Sequence, residues 1–345
     1  MKIIYLGHHA LGDVVMKIPA IRYLINKFGN ESVYFTVRDN SVKDFLINHT
    51  PLLKDNFLIY NNGMSVLEKF SLIRYIRNLN FDYFILPPTI NNKNGKFLFQ
   101  LSNSKKLISH HNIHSIPKKN EVYVSKFKHK VLQNIEFVRY FENWNDKKIL
   151  DFTNENYFLD NLVNSNLKSF NLEEKYIVLQ PGSGGNIHKR YPVNKWQELI
   201  TLITEKYSTY NIYVSGVGKE ESNLANTIIN FFDPCHIRIK SIVNKYSLSE
   251  TMTIIRNSNL FISADCGPTH IASIMKTKMV TIFGPTDFEI TGPYSHCTPI
   301  RIYPKLKCMP CHLSKKYGNR GCDSVDCLQD LDNLKILKAI DENLK

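Results

Sequence analysis

Four loops in this chain hold the residues able to do chemistry. In Gly7-His8-His9-Ala10-Leu11-Gly12-Asp13 a carboxylate follows one apolar run and opens another. An acid at a helix start either caps free backbone N–H groups or points outward, where it can take a proton from a substrate hydroxyl. The spacing does not match G-x-G-x-x-G, so nicotinamide chemistry is not implied. In the second loop, Pro181-Gly182-Ser183-Gly184-Gly185 runs on to Lys189-Arg190-Tyr191-Pro192. Glycines there let backbone N–H groups approach a phosphate, and Lys189 and Arg190 add positive charge; the alternative is a plain turn with exposed basic residues. It is not a G-x-x-x-x-G-K-[ST] loop, which argues against an ATPase. The third loop, Asp265-Cys266-Gly267-Pro268-Thr269-His270, ends a strand pattern and starts a helix whose free N–H groups could hold a diphosphate. The fourth, Phe283-Gly284-Pro285-Thr286-Asp287, should lie beside it.

Alternating strand and helix patterns must position these loops. Strands are expected at Lys2–Gly7, Val33–Val37, Phe81–Leu86 and Lys105–Ser109, and helices at Val14–Phe28 (restarting at Pro19), after a Ser41 cap, at Met64–Leu79 and at Val131–Phe141. After a polar, Asn-rich stretch the alternation starts again. Strands are expected at Tyr176–Leu179, Asn211–Ser215, Leu260–Ala264 and Val280–Phe283, with helices at Val193–Lys206, Glu220–Phe231, Leu248–Arg256 and Pro268–Met275. This predicts an α/β protein of two Rossmann-like, doubly wound domains, residues 1–168 and 169–345, facing a cleft, with the final helix able to pack back on the first domain. Ligands of such sheets bind beyond the carboxyl ends of the strands, where all four loops fall.

Charge narrows the partners. The chain has 345 residues and a net charge of +13, favouring anionic ligands. Between Lys93 and Lys130 there are nine lysines and four histidines against one acid, Glu121. This stretch is either a solvated basic face or a landing surface for a phosphorylated or membrane-embedded acceptor. Lys93, Lys96, Lys105 and Lys106, with Gly12 beside the acid, are the candidate acceptor contacts. No apolar run approaches the ~20 residues of a membrane span, and the start lacks a cleavable signal. A cytoplasmic protein, peripheral on the inner face of the membrane, is expected. Seven cysteines argue against a disulfide framework. Cys308, Cys311, Cys322 and Cys327 could hold a structural zinc, with His312 a substitute ligand, or form a loop of reduced thiols.

Taken in order, Gly12-Asp13-Val14-Val15 with Pro19-Ala20, Pro181-Gly182 with Lys189-Arg190-Tyr191-Pro192, Asp265-x-Gly267-Pro268-x-His270 and Phe283-Gly284-Pro285-Thr286-Asp287 resemble the heptosyltransferase family of lipopolysaccharide assembly, glycosyltransferase family nine. The resemblance spans about residues 2–330. It implies a GT-B architecture, with an acceptor-binding first domain and a nucleotide-sugar-binding second domain. It also implies metal-independent, inverting transfer with no cofactor required for catalysis, typically from ADP-heptose to a lipid-linked core oligosaccharide. By position, Asp13 matches the general base and Lys189 the lysine that neutralises donor phosphates. Glu220, or its rival Glu221, matches the acid that contacts the donor nucleoside. Gly182, Ser183, Arg190, Asp265, Cys266, Gly267, Pro268, Thr269 and His270 complete the implied donor site. The chain departs from the family at His8-His9, at Cys266 where Ser or Thr is usual, and at Phe288 where proline is common.

The competing readings are a GT-B nucleotide-sugar enzyme of other chemistry, such as an epimerase, and a non-enzymatic binder of anionic ligands. A nucleic-acid partner is not expected, because the 93–130 segment carries Phe97, Phe99, Tyr123 and Phe127 but no recognition motif.

Overall fold

The computed structural model describes every residue except 8–9, 62, 89–91, 111–120, 123–126, 160–169, 171, 185, 234–237, 296, 302–304 and 312–323, and the backbone alone at 92–94, 96–97, 110 and 121–122. Contacts divide the chain into Met1–Leu159 and Asp160–Lys345, a few residues before the division expected near 168.

The first unit holds one sheet of β1 (Ile3–Tyr5), β2 (Val33–Val37), β3 (Phe57–Ile59), β4 (Tyr83–Ile85), β5 (Lys106–His110) and β6 (Glu121–Val122), ordered β3-β2-β1-β4-β5-β6. The second holds β7 (Tyr176–Gln180), β8 (Asn211–Val214), β9 (Ile239–Ser241), β10 (Leu260–Ala264), β11 (Met279–Ile282) and β12 (Cys297–Ile300), ordered β9-β8-β7-β10-β11-β12. Every pairing is parallel. The two sheets therefore repeat one doubly wound order. Its direction reverses between β1 and β4, and again between β7 and β10, which are the positions where such sheets receive ligands. Central strands are buried along their whole length, as parallel strands covered on both faces must be.

The helices follow from caps and breakers. Pro19 starts a new helix, Ile18–Phe28, after the short Leu11–Val15. Asp39, not Ser41, caps Asn40–His49 by accepting from the Val42 N–H. Its extended backbone aims the carboxylate at the open N–H groups, while Ser41 is already inside the helix. Ser65 and Ser247 begin Val66–Leu79 and Leu248–Asn257 with reciprocal capping boxes to Glu68 and Glu250. In the second unit, Trp196, Leu199, Ile200 and Ile203 of helix Val193–Lys206 share a core with Ile336, Ala339 and Ile340 of the final helix, Asn333–Leu344. That final helix is tied to the second unit by Tyr191 Oη donating to Asn333 Oδ1 (2.7 Å) and by a Lys206–Asp341 ion pair. No helix among the described residues is long and apolar enough to cross a membrane.

Candidate functional site

In the second unit, the sequence-predicted residues converge at the carboxyl ends of β7, β10 and β11. Lys189 Nζ lies 3.0 Å from Asp265 Oδ2, and the Thr286 hydroxyl donates to the same oxygen at 2.6 Å. Asp265 is nearly inaccessible, whereas Lys189 keeps an opening to solvent. An ammonium has three donors. Asp265 occupies one, so Lys189 is aimed and still able to bind a phosphate oxygen.

The helix Gly267–Ile274 starts at the next residues. Cys266 precedes it in extended backbone without capping it through its side chain, and Pro268 sits in its first turn. Gly267 and Pro268 thus form the helix start, and the Thr269 N–H behind them turns back to the Cys266 carbonyl at 3.3 Å. The Thr269 hydroxyl donates to Ala264 O (3.1 Å) and meets Ser263 and Cys266, stitching β10 to the helix. His270 is buried as well. Burial pushes the Cys266 thiol up to about 12, away from the reactive thiolate form.

The two adjacent acids separate cleanly. Glu220 is exposed and pairs with Arg190 at 2.9 Å, while the Arg190 guanidinium also donates to Gly184 O. Arg190 thereby braces the glycine loop. Glu221 is buried beneath that loop, where its carboxylate accepts from Gln180 Nε2 (3.2 Å), Gly184 N (3.3 Å) and Val217 N (2.9 Å). A Cβ on Gly182 would stand 2.1 Å from Glu221 Oε1, and one on Gly216 would stand 2.7 Å from Oε2. Both glycines are needed for the close approach of this carboxylate, and Gly184 takes a left-handed φ of +62°. Ser183 closes the turn by donating to Asn186 O.

In the first unit, Asp13 lies on helix Leu11–Val15, partly exposed, with Gly12 buried beside it. Two lysines frame it. Lys17 is completely buried and donates to the Asp13 carbonyl at 3.1 Å. Burial draws its pKa down to about 8, a drop partly opposed by the Asp13 charge and reinforced by Lys130. Lys130 is lowered too, by burial, again opposed by Asp13; it donates to Gln133 Oε1. Sequence reading passed over Lys17, although an acid and a lysine at i,i+4 were the available signal. It also passed over Thr286 as a partner of Asp265.

The candidate acceptor lysines do not gather at one place. Lys105 and Lys106 stand at the amino end of β5, the opposite end of the sheet from Asp13. Lys105 pairs with Asp82 (2.7 Å), which also receives the Lys2 N–H, and Lys106 lies over the Tyr83 ring. These contacts fasten strand starts. Lys93 and Lys96 fall early in helix Asn92–Ser102, and their side chains lie outside the described residues. Cys311 and Cys327 are buried and Cys308 is partly exposed, while Cys322 and His312 lie outside the described residues. Among the described residues, no group of three or more His, Cys, Asp or Glu could hold a metal ion.

Comparison with known proteins places these features in a family context. Residues 70–319 match the model of glycosyltransferase family 9 (heptosyltransferase), a span that starts beyond Asp13 and includes the whole second-unit site. Lipooligosaccharide heptosyltransferase 2 of Campylobacter jejuni subsp. jejuni serotype O:6 is 26% identical over 343 residues, covering 96% of this chain and 95% of that protein. Among solved structures, the E. coli ADP-heptose lps heptosyltransferase II aligns with a TM-score of 0.73 at 16% identity, covering 100% of this chain and 98% of the other. E. coli heptosyltransferase WaaC with ADP aligns with a TM-score of 0.68 at 16% identity, covering 99% and 100%.

Proposed function

The chain belongs to glycosyltransferase family 9 and is a glycosyltransferase; on that premise we propose that it moves a heptose from ADP-heptose onto a lipid-linked core oligosaccharide, by inverting transfer that needs no metal. The donor is the one in the name of the E. coli ADP-heptose lps heptosyltransferase II, and the acceptor class follows the lipooligosaccharide in the name of the Campylobacter jejuni relative. The observation carrying the reading is the Asp265–Lys189 pair beside a helix start at the β7/β10 reversal, which fits a departing diphosphate.

In this mechanism the acceptor oxygen attacks the anomeric carbon as the bond from that carbon to the diphosphate oxygen breaks. The hydroxyl proton passes to the Asp13 carboxylate. Lys189 and the N–H groups at the start of helix Gly267–Ile274 take up the charge that develops on the leaving diphosphate. Arg190 and Glu221 hold the glycine loop in place, and the exposed Glu220 is the acid available to a nucleoside hydroxyl. Because protein cations and dipoles supply the leaving-group stabilisation, chelator treatment leaves the transfer rate unchanged; a rate lost with chelator and restored by a divalent cation would remove the metal-independent step.

Lys189→Ala weakens ADP binding about 10- to 100-fold, the range for a hydrogen bond to a charged group, as read by calorimetry on protein whose melting confirms folding. Unchanged affinity takes Lys189 out of the donor site. Incubation with ADP-heptose and a core acceptor yields ADP and extended acceptor, whereas ADP-heptose alone stays intact. Conversion of the sugar without acceptor would favour epimerase chemistry.

A further inference from the structure

The helix Val66–Leu79 has an inner face in the first unit's core and an outer face that folding leaves unused. Ile76 is buried, and Leu72, Ile73 and Leu79 pack against the same cluster. On the outside, Val66 is 67% exposed, Leu67 81% and Phe70 66%. Isolated exposed apolar residues are ordinary. Here, however, Leu67, Phe70, Arg74 and Arg77 recur at spacings of three, four and three, which puts them on one line down the helix. Arg74 and Arg77 are exposed as well. The one acid in the helix, Glu68, is turned back into the capping box, where its Oε2 accepts the Ser65 N–H at 2.7 Å. The outer line is therefore apolar at one end and cationic at the other, with no carboxylate aimed along it.

We propose that this face docks the protein on an anionic lipid bilayer, with Val66, Leu67 and Phe70 entering the acyl boundary and Arg74 and Arg77 engaging lipid phosphates. Apolar and aromatic side chains combined with arginines on one helix face make an interfacial helix. A second copy is a poorer occupant. A symmetric contact places the same patch on itself, and this line carries two arginines and no acid, so neither copy offers the other's arginines a carboxylate from it. The proposal extends the reading of a lipid-linked acceptor, since such an acceptor sits in a membrane. It is tested without donor or acceptor, so its failure would leave the transfer reaction standing.

The full chain is sedimented with vesicles of phosphatidylethanolamine and phosphatidylglycerol, and separately with vesicles of phosphatidylcholine alone. Wild type partitions onto the anionic vesicles and much less onto the neutral ones, and added salt weakens the binding. Leu67→Ser/Phe70→Ser lowers partitioning at least about tenfold. Arg74→Gln/Arg77→Gln lowers it by about fivefold for each arginine removed. Both variants melt as wild type does, because the substituted side chains lie outside the core. Absence of wild-type binding to anionic vesicles, or equal partitioning of the variants, overturns the proposal. A wild-type dimer that Leu67→Ser/Phe70→Ser converts to monomer also overturns it, in favour of a second copy.

Discussion

Asp13→Asn lowers transfer by about 10²–10⁴-fold, the range for loss of a proton acceptor in the transition state, while ADP affinity stays at the wild-type value. The two readouts separate because the proposed base and the proposed diphosphate contacts belong to different units of the chain. Asparagine has nearly the same shape and retains the backbone carbonyl that receives the Lys17 ammonium, so the helix Leu11–Val15 keeps its anchor. What disappears is the negative charge. Lys17 and Lys130 both owe part of their protonation to it, so their pKa values fall further in the variant. Single-turnover transfer and ADP calorimetry on the same preparation check the result. Transfer at the wild-type rate would deny Asp13 the role of base.

The second large effect concerns stability. Lys17→Met makes the protein more stable near neutral pH by about 2 kcal/mol, from a burial cost of about 3.4 kcal/mol removed and a charged hydrogen bond worth about 1.5 kcal/mol lost. The folded-state pKa of Lys17, about 8, lies below its ordinary value of 10.5. Below the lower value both states carry the proton, and the fold bears a buried ammonium. Between the two values the unfolded chain binds more protons than the folded one, so wild-type stability rises with pH across that window. In the methionine variant this rise is absent. Wild type regains about 1.4 kcal/mol per pH unit across the window, so the advantage of the variant shrinks from about pH 8 upward, is gone at about pH 9.5 and is reversed by about pH 10.5. Urea unfolding across that range checks it, and a variant less stable than wild type at neutral pH would mean that the ammonium is not a net burden.

The central strands were legible in sequence and the edge strands were not. β1, β2, β4, β7, β8, β10 and β11 are short, largely buried apolar runs; all but β2, which runs into Arg38-Asp39, are followed within three residues by Gly or Pro. β3, β6, β9 and β12 went unread, and these four are the sheet edges. An edge strand needs no continuous apolar run, and these are two to four residues long. β9 is Ile-Lys-Ser, and β12 contains Pro299, which an edge tolerates because one side of the strand donates no ladder bonds. The candidate site was legible where loop spacing brings residues together, as with Lys189 and Asp265. It was not legible where placement depends on which way a residue turns. Glu220 and Glu221 are equivalent as letters, and only the helix face separates an exposed partner of Arg190 from a buried carboxylate. Lys105 looked like part of a basic surface because sequence does not show Asp82 beside it.

Gly182, Gly216 and Glu221 share one volume, since a single methyl group on either glycine would overlap the carboxylate. Substitution at any of the three is therefore an epistatic event. Gly182→Ala on its own displaces the acid that fastens two loops, but the same alanine beside a Glu221→Asp side chain, shorter by one methylene, has space to fit. Members of the family that diverge at one of these positions should carry a compensating change at another, and in a mutational library the three sites should tolerate change together more readily than singly.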